Sequence, residues 1–173
     1  MSKSVIAGVA VFLVVGAAGC GAPGSGGTGS GSAETSESAS PGSSVAEAVD
    51  PCEVLNQADA TKLGIEGSGE AKRIAGAPAC DFKVAGGVIS VVVHSDKTVD
   101  EMNLTDGTVD TVSVAGVDGK RVRELVGPGD CGAFFPLSSK GVIQVSSVVQ
   151  DTEAACQTVQ EAAPLVLANL PKN

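Results

Sequence analysis

Hydrophobic residues are distributed along this chain in three regimes. Val5–Val15 is a continuous apolar run of 11 residues behind a single charge, Lys3, and it ends in the small residues Gly16-Ala17-Ala18-Gly19 before Cys20. Residues 21–44 then have no apolar periodicity and are dominated by Gly and Ser, with Pro23 and Pro41. From about Asp50 to Leu170 the pattern becomes periodic. Val54, Leu55, Ala58 and Leu63 recur at helical spacing, and Gly64 stops them. Asp50-Pro51-Cys52-Glu53 reads as a cap, a first-turn proline and a capping-box glutamate, so the first helix is expected over 51–63.

Period-two patterns follow. Cys80–Val84, the turn Ala85-Gly86-Gly87 and Val88–His94 predict a hairpin, because the second run is rich in β-branched residues. Thr98-Val-Asp-Glu101 is a second capping box and predicts a short helix. Val109–Val114 and Lys120–Val126 alternate as strands around a turn expected at Val117-Asp118-Gly119. Cys131–Phe135, a turn at Ser138–Gly141 and Val142–Val149 predict another hairpin, an echo of the first that hints at a pseudo-twofold arrangement. Asp151 caps a last helix carrying Ala155, Val159, Ala163, Val166 and Leu170 on one side. Pro164 lacks an N–H and is expected to kink or split it. Helices at both ends and hairpins between them predict an α+β domain, an antiparallel sheet of hairpins with helices packed on it.

The first two regimes point to an address. A charged start, a short apolar core and small residues describe a secretory signal over residues 1–19. The run is too short for a permanent span, which needs about 20 residues. A cysteine directly after the small residues has the form of a bacterial lipoprotein signal, in which the Cys20 thiol takes a diacylglycerol and an added acyl chain such as palmitate. Two or more chains satisfy the requirement for stable anchoring. Residues 20–49 then read as the lipidated cysteine and a tether. Such a composition cannot offset its chain entropy by burial, and 24 residues of it reach roughly 27 Å r.m.s.. The expected location is the extracytoplasmic face of the cell membrane, with the domain at 50–171 holding about 120 residues and one core.

Charge and composition narrow the partners. The chain carries 11 basic and 20 acidic residues, and loss of Lys3 with the signal takes the net charge from −9 to −10. An acidic surface disfavours nucleic acid. There is no Trp or Tyr, and only Phe82, Phe134 and Phe135 lie beyond the signal, so base-stacking and sugar-stacking platforms are not expected. Membrane contact is expected through the N-terminal lipid, and the domain's partner is an unknown envelope protein or small ligand.

Setting Cys20 aside leaves Cys52, Cys80, Cys131 and Cys156, which allow three pairings in a disulfide-permissive compartment. The expected pairing joins neighbours, Cys52–Cys80 and Cys131–Cys156. Each bridge closes a loop of about 25–30 residues, worth roughly 3–4 kcal/mol, and ties a helix to a strand start. No C-x-x-C occurs and the one His is remote from the cysteines, so neither a metal site nor a cofactor is expected.

Other candidates are weaker. Gly127-Pro-Gly129-Asp-Cys-Gly132 has the letters G-x-G-x-x-G, but a dinucleotide site needs a helix directly after it, and a strand pattern follows. His94 could serve a hydrolytic triad with a Ser and an Asp, yet no G-x-S-x-G or S-x-x-K frames a nucleophile. Arg121 and Arg123 share a strand face roughly 6–7 Å apart and could contact an anion with Lys72, Arg73 or Lys120; the alternative is a charged face guarding an edge. Asp100, Glu101, Asp106 and Asp110 lack the spacing of a calcium loop.

The order of these features resembles the small actinobacterial lipoproteins of domain-of-unknown-function family 3558. The matching features are a lipoprotein cysteine, a Gly/Ser tether, Asp50-Pro51-Cys52, Cys80-Asp-Phe82, Gly129-Asp-Cys131-Gly132, Ala155-Cys156 and Leu170-Pro171. The resemblance implies a surface lipoprotein and no particular activity. The expected function is a membrane-anchored, non-enzymatic ligand- or protein-binding module. The alternatives are a cell-envelope hydrolase using His94 and a structural subunit of an envelope complex.

Overall fold

A computed structural model describes residues 45–137 and 140–171; the expected signal, Cys20 and most of the expected tether lie outside the described residues. Seven strands form one antiparallel sheet: β1 Glu70–Ile74, β2 Ala77–Val84, β3 Gly87–His94, β4 Thr108–Val114, β5 Val117–Arg123, β6 Asp130–Pro136 and β7 Val142–Val148. Two helices accompany them, α1 Gln57–Lys62 and α2 Thr152–Ala168. The spatial order is β1-β2-β3-β7-β6-β5-β4. The chain builds one meander, crosses to the far edge, and meanders back until β7 closes against β3. This is the α+β architecture expected, with hairpins β2–β3 and β6–β7 side by side across the β3–β7 seam, in keeping with the sequence echo between them.

The turns explain the register. Ala75-Gly76 and Ala115-Gly116 are two-residue loops with positive φ at both positions (49° and 85°, 52° and 82°), the backbone that twist-matched hairpins require. Strand β1 and its turn were not anticipated, because Glu70-Ala-Lys-Arg-Ile74 is polar and short. The turn expected at Val117–Gly119 belongs instead at Ala115-Gly116. Gly119 is inside β5, where a Cβ would lie 2.4 Å from the Phe134 carbonyl oxygen and 2.6 Å from the Phe135 ring.

Helix α1 starts later than expected. Asp50–Glu53 forms a turn, with the Asp50 carboxylate accepting from Cys52 N–H at 2.8 Å. The working cap is Asn56, whose side-chain oxygen accepts from Ala58 and Asp59 N–H while Asp59 accepts from Asn56 N–H. Cys52, in that turn, is bonded to Cys80 in the middle of β2, and Cys131 near the start of β6 is bonded to Cys156 in α2. Only the second bridge therefore ties a helix to a strand. The packed chain also extends upstream of Asp50: Ala46 (2% exposed) and Val49 (7%), assigned to the tether from sequence, are buried in the core.

Helix α2 is capped by Asp151 as expected and runs unbroken through Pro164. Val159, Ala162 and Ala163 before the proline and Val166 after it are all buried. Packing on both sides holds the helix against the loss of one backbone hydrogen bond. Helix α2 lies on β6 and β7. Residues paired across strands share a sheet face, and the helix-side set is Cys80, Phe82, Ile89, Val91, Val93, Cys131, Ala133, Phe135, Ile143 and Val145. Together with α2, α1 and the Val45–Ala48 3₁₀ turn they make the main core.

Candidate functional site: the open sheet face

Among the described residues, the other face of the sheet has no α-helix on it. Its outer part is covered by the 95–107 crossover, whose capping box at Thr98 and Glu101 forms a short 3₁₀ turn over Val99–Glu101. Val99, Met102 and Leu104 pack there on Val122, Phe134 and Val142, a second small core. The crossover stops short of β1–β3, and a groove of about 260 Å³ remains open.

Strand register builds this groove. Its floor is a row running Asp81, Ser90, Ser146, Gly132 across β2, β3, β7 and β6. Small side chains at Ser90, Ser146 and Gly132 leave a depression. On one side stand Val88, Val148 and Asp130, and on the other Gln144 and Phe134. The loop after β5 brings Leu125 and Val126 over the β6 end, and Val126 is 79% exposed.

The polar groups form two short hydrogen-bonded chains, with Asp130 apart from both. Lys72 Nζ is paired with Asp81, which also accepts from Ser90 Oγ at 2.6 Å. Gln144 Nε2 donates to Ser146 Oγ at 3.4 Å, and Gln144 Oε1 lies 3.2 Å from His94 Nε2. Asp130 is only 6% exposed; its carboxylate accepts from Val126 N–H at 3.2 Å. Burial pushes its pKa above the ordinary value, with the Val126 and Leu125 N–H groups opposing. Between these charged ends, the neutral hydrogen-bonding groups Ser90, Ser146 and Gln144 lie among apolar walls and suit a small amphiphilic ligand.

The candidates named from sequence fall elsewhere or into different roles. His94 is buried and borders a separate cleft of about 450 Å³ with Ser95 and Asp96, and its side-chain hydrogen-bond partner among the described residues is the Gln144 amide. Arg121 and Arg123 do share a face, the helix side. Asp110 Oδ2 sits between them at 3.1 and 3.3 Å, and Glu153 lies 3.8 Å from Arg123. Carboxylates of the protein thus occupy the place assigned to an anion. Lys72 and Arg73 are on β1, at the opposite end of the sheet order, and Lys120 is on the other face, 2.7 Å from Asp100. That hydrogen bond, with the lysine charge, holds the Asp100 carboxyl below its ordinary range. Gly127–Gly132 leads into β6. No group of three or more His, Cys, Asp or Glu among the described residues is arranged to hold a metal, and no described helix is long and apolar enough to cross a membrane.

Ser90, Gln144 and Ser146 in the groove were not singled out from sequence. A signal existed: Ser90 within Val88–Val93, and Gln144 and Ser146 within Val142–Val148, alternate with apolar neighbours and mark a polar strand face. Only the β3–β7 pairing brings these strands together.

The chain is thus a disulfide-bridged α+β domain with one sheet face covered and the other grooved. It belongs to the family described as a protein of unknown function (DUF3558), whose model matches residues 15–169. No curated protein and no solved structure matches it.

Proposed function

We propose that this protein is a membrane-anchored extracytoplasmic lipoprotein, held by lipid on Cys20, whose domain is a non-enzymatic ligand- or protein-binding module. The observation that carries the binding role is the groove on the open face: a concave, mainly apolar surface with convergent polar groups at Ser90, Gln144 and Ser146. The anchor rests on the signal pattern of residues 1–20, and the family match takes in Cys20. The tether lets the domain meet its partner beyond the lipid surface.

Cell fractionation tests the anchor. Cys20→Ser is expected to leave the membrane fraction; an unchanged membrane pool refutes it. Photo-crosslinking in cells tests the binding role. A crosslinker placed at Val126, on the groove wall, is expected to capture a ligand or partner, and one at exposed Glu161 on α2 is not. Recovery of the protein alone from both positions refutes the binding role.

A further inference from the structure

Asp130 differs from the other carboxylates that pack against the sheet. Asp81 has Lys72, and Asp110 has Arg121 and Arg123. Asp130 is more deeply buried than either and has no ion pair among the described residues. It is met by the loop backbone at Val126, and it lines the groove together with Leu125, Val126, Phe134 and Val148. A buried carboxylate without a counter-charge is unfavourable in a low-dielectric site, and a cation brought to it recovers that cost.

The rest of the groove sets the body of such a ligand. Asp130 and Asp81 stand three strand spacings apart across the sheet and two residues apart along it, roughly 16 Å at ~4.8 Å per strand and ~3.4 Å per residue, and the residues between them are apolar or neutral: Val148, Val88, Ser146 and Ser90. At the Asp81 end the charge is already balanced by Lys72. The groove thus offers one unmatched negative group at one end of an apolar trough.

We propose that the groove binds a small amphiphile carrying a single ammonium group, with the cation at Asp130 and the apolar body along Phe134, Val126 and Val148. This rests on the groove being a ligand site, as proposed above, and adds the ligand's chemical class.

The test uses octylamine, octanol and octanoate as probes of equal chain length, titrated into the full-length protein at pH 7 and followed by backbone amide NMR. Octylamine is expected to bind at least about tenfold more tightly than octanol, a difference of about 1.4 kcal/mol, with octanoate weakest. The largest shifts are expected at Leu125, Val126 and Asp130. Asp130→Asn, which keeps an acceptor for the Val126 N–H, is expected to bring amine and alcohol within about twofold. Equal binding of amine and alcohol by the natural protein overturns the ammonium assignment while leaving the groove as a ligand site. So does an amine preference that survives Asp130→Asn, or amine shifts centred on Lys72 and Asp81. If the variant does not fold, the amine-to-alcohol ratio and the location of the shifts in the natural protein decide alone. If none of the three probes moves any groove resonance, the small-ligand reading of the groove falls as well.

Discussion

Ser147 offers a direct test of the core. It lies on β7 between its register partners Ile89 and Cys131, on the helix side of the sheet, and is 1% exposed. Its hydroxyl has no hydrogen-bond partner among the described residues. Burying an unsatisfied hydroxyl costs about 1–3 kcal/mol. Ser147→Ala removes that cost and gives up the contacts of a single oxygen atom, for which about 0.5 kcal/mol is a fair offset on the scale of small core deletions. The expected net gain is about 1 kcal/mol. In urea, with m of about 1–3 kcal/mol/M, this moves the midpoint up by about 0.3–1 M at unchanged m. The melting temperature rises by about 3–6 °C. Ser146→Ala is the internal control. That side chain faces the groove and accepts from Gln144, so its loss is expected to be neutral or slightly destabilising. A Ser147→Ala protein less stable than the natural one by about 0.5 kcal/mol or more would show that the hydroxyl is bonded, and the account of this core site would be wrong.

Two further outcomes follow from the same geometry. Replacing Cys131 and Cys156 together by Ala opens a bridge with a sequence separation of 25; loop-closure entropy sets the loss at about 3.5 kcal/mol, a large part of the 5–15 kcal/mol typical of a domain. Urea unfolding should register it, and a loss below about 1 kcal/mol would contradict the estimate. Asp130 titrates in the opposite sense to a paired carboxylate. Its folded pKa is raised above the ordinary 3.8, so its favourable contribution is full below that value and is lost as pH rises through the folded pKa. The stability of Asp130→Asn relative to the natural protein is therefore expected to be more favourable at pH 7 than at pH 3, and unfolding free energies that differ equally at both would refute it.

Local features were legible wherever one short segment decides its own conformation. Alternation and β-branching marked β3, β4 and β7. Asp151 marked the start of α2, and Gly64 the end of α1. Competition between local signals was not legible. Asp50-Pro51 looks like a helix cap, but the structure caps the helix at Asn56, whose partner Asp59 also accepts from Asn169 at the end of α2, at 2.7 Å. Gly119 looks like a turn glycine but serves a strand, because the need for it comes from Phe134 and Phe135 on the neighbouring strand. The chain pattern also does not reveal that Asp110 falls opposite Arg121 and sits between Arg121 and Arg123.

The sequence by itself determined most of the elements, their class and the signal pattern at Cys20, since propensity, capping and turn chemistry act over a few residues. The tertiary structure decided which strands became neighbours. The β3–β7 seam joins residues 48–60 positions apart, sets Ser90 opposite Ser146, and sends the crossover over only part of one face. Such pairings depend on which arrangement buries the most apolar surface once both meanders exist. The groove and its unmatched Asp130 are products of that global choice.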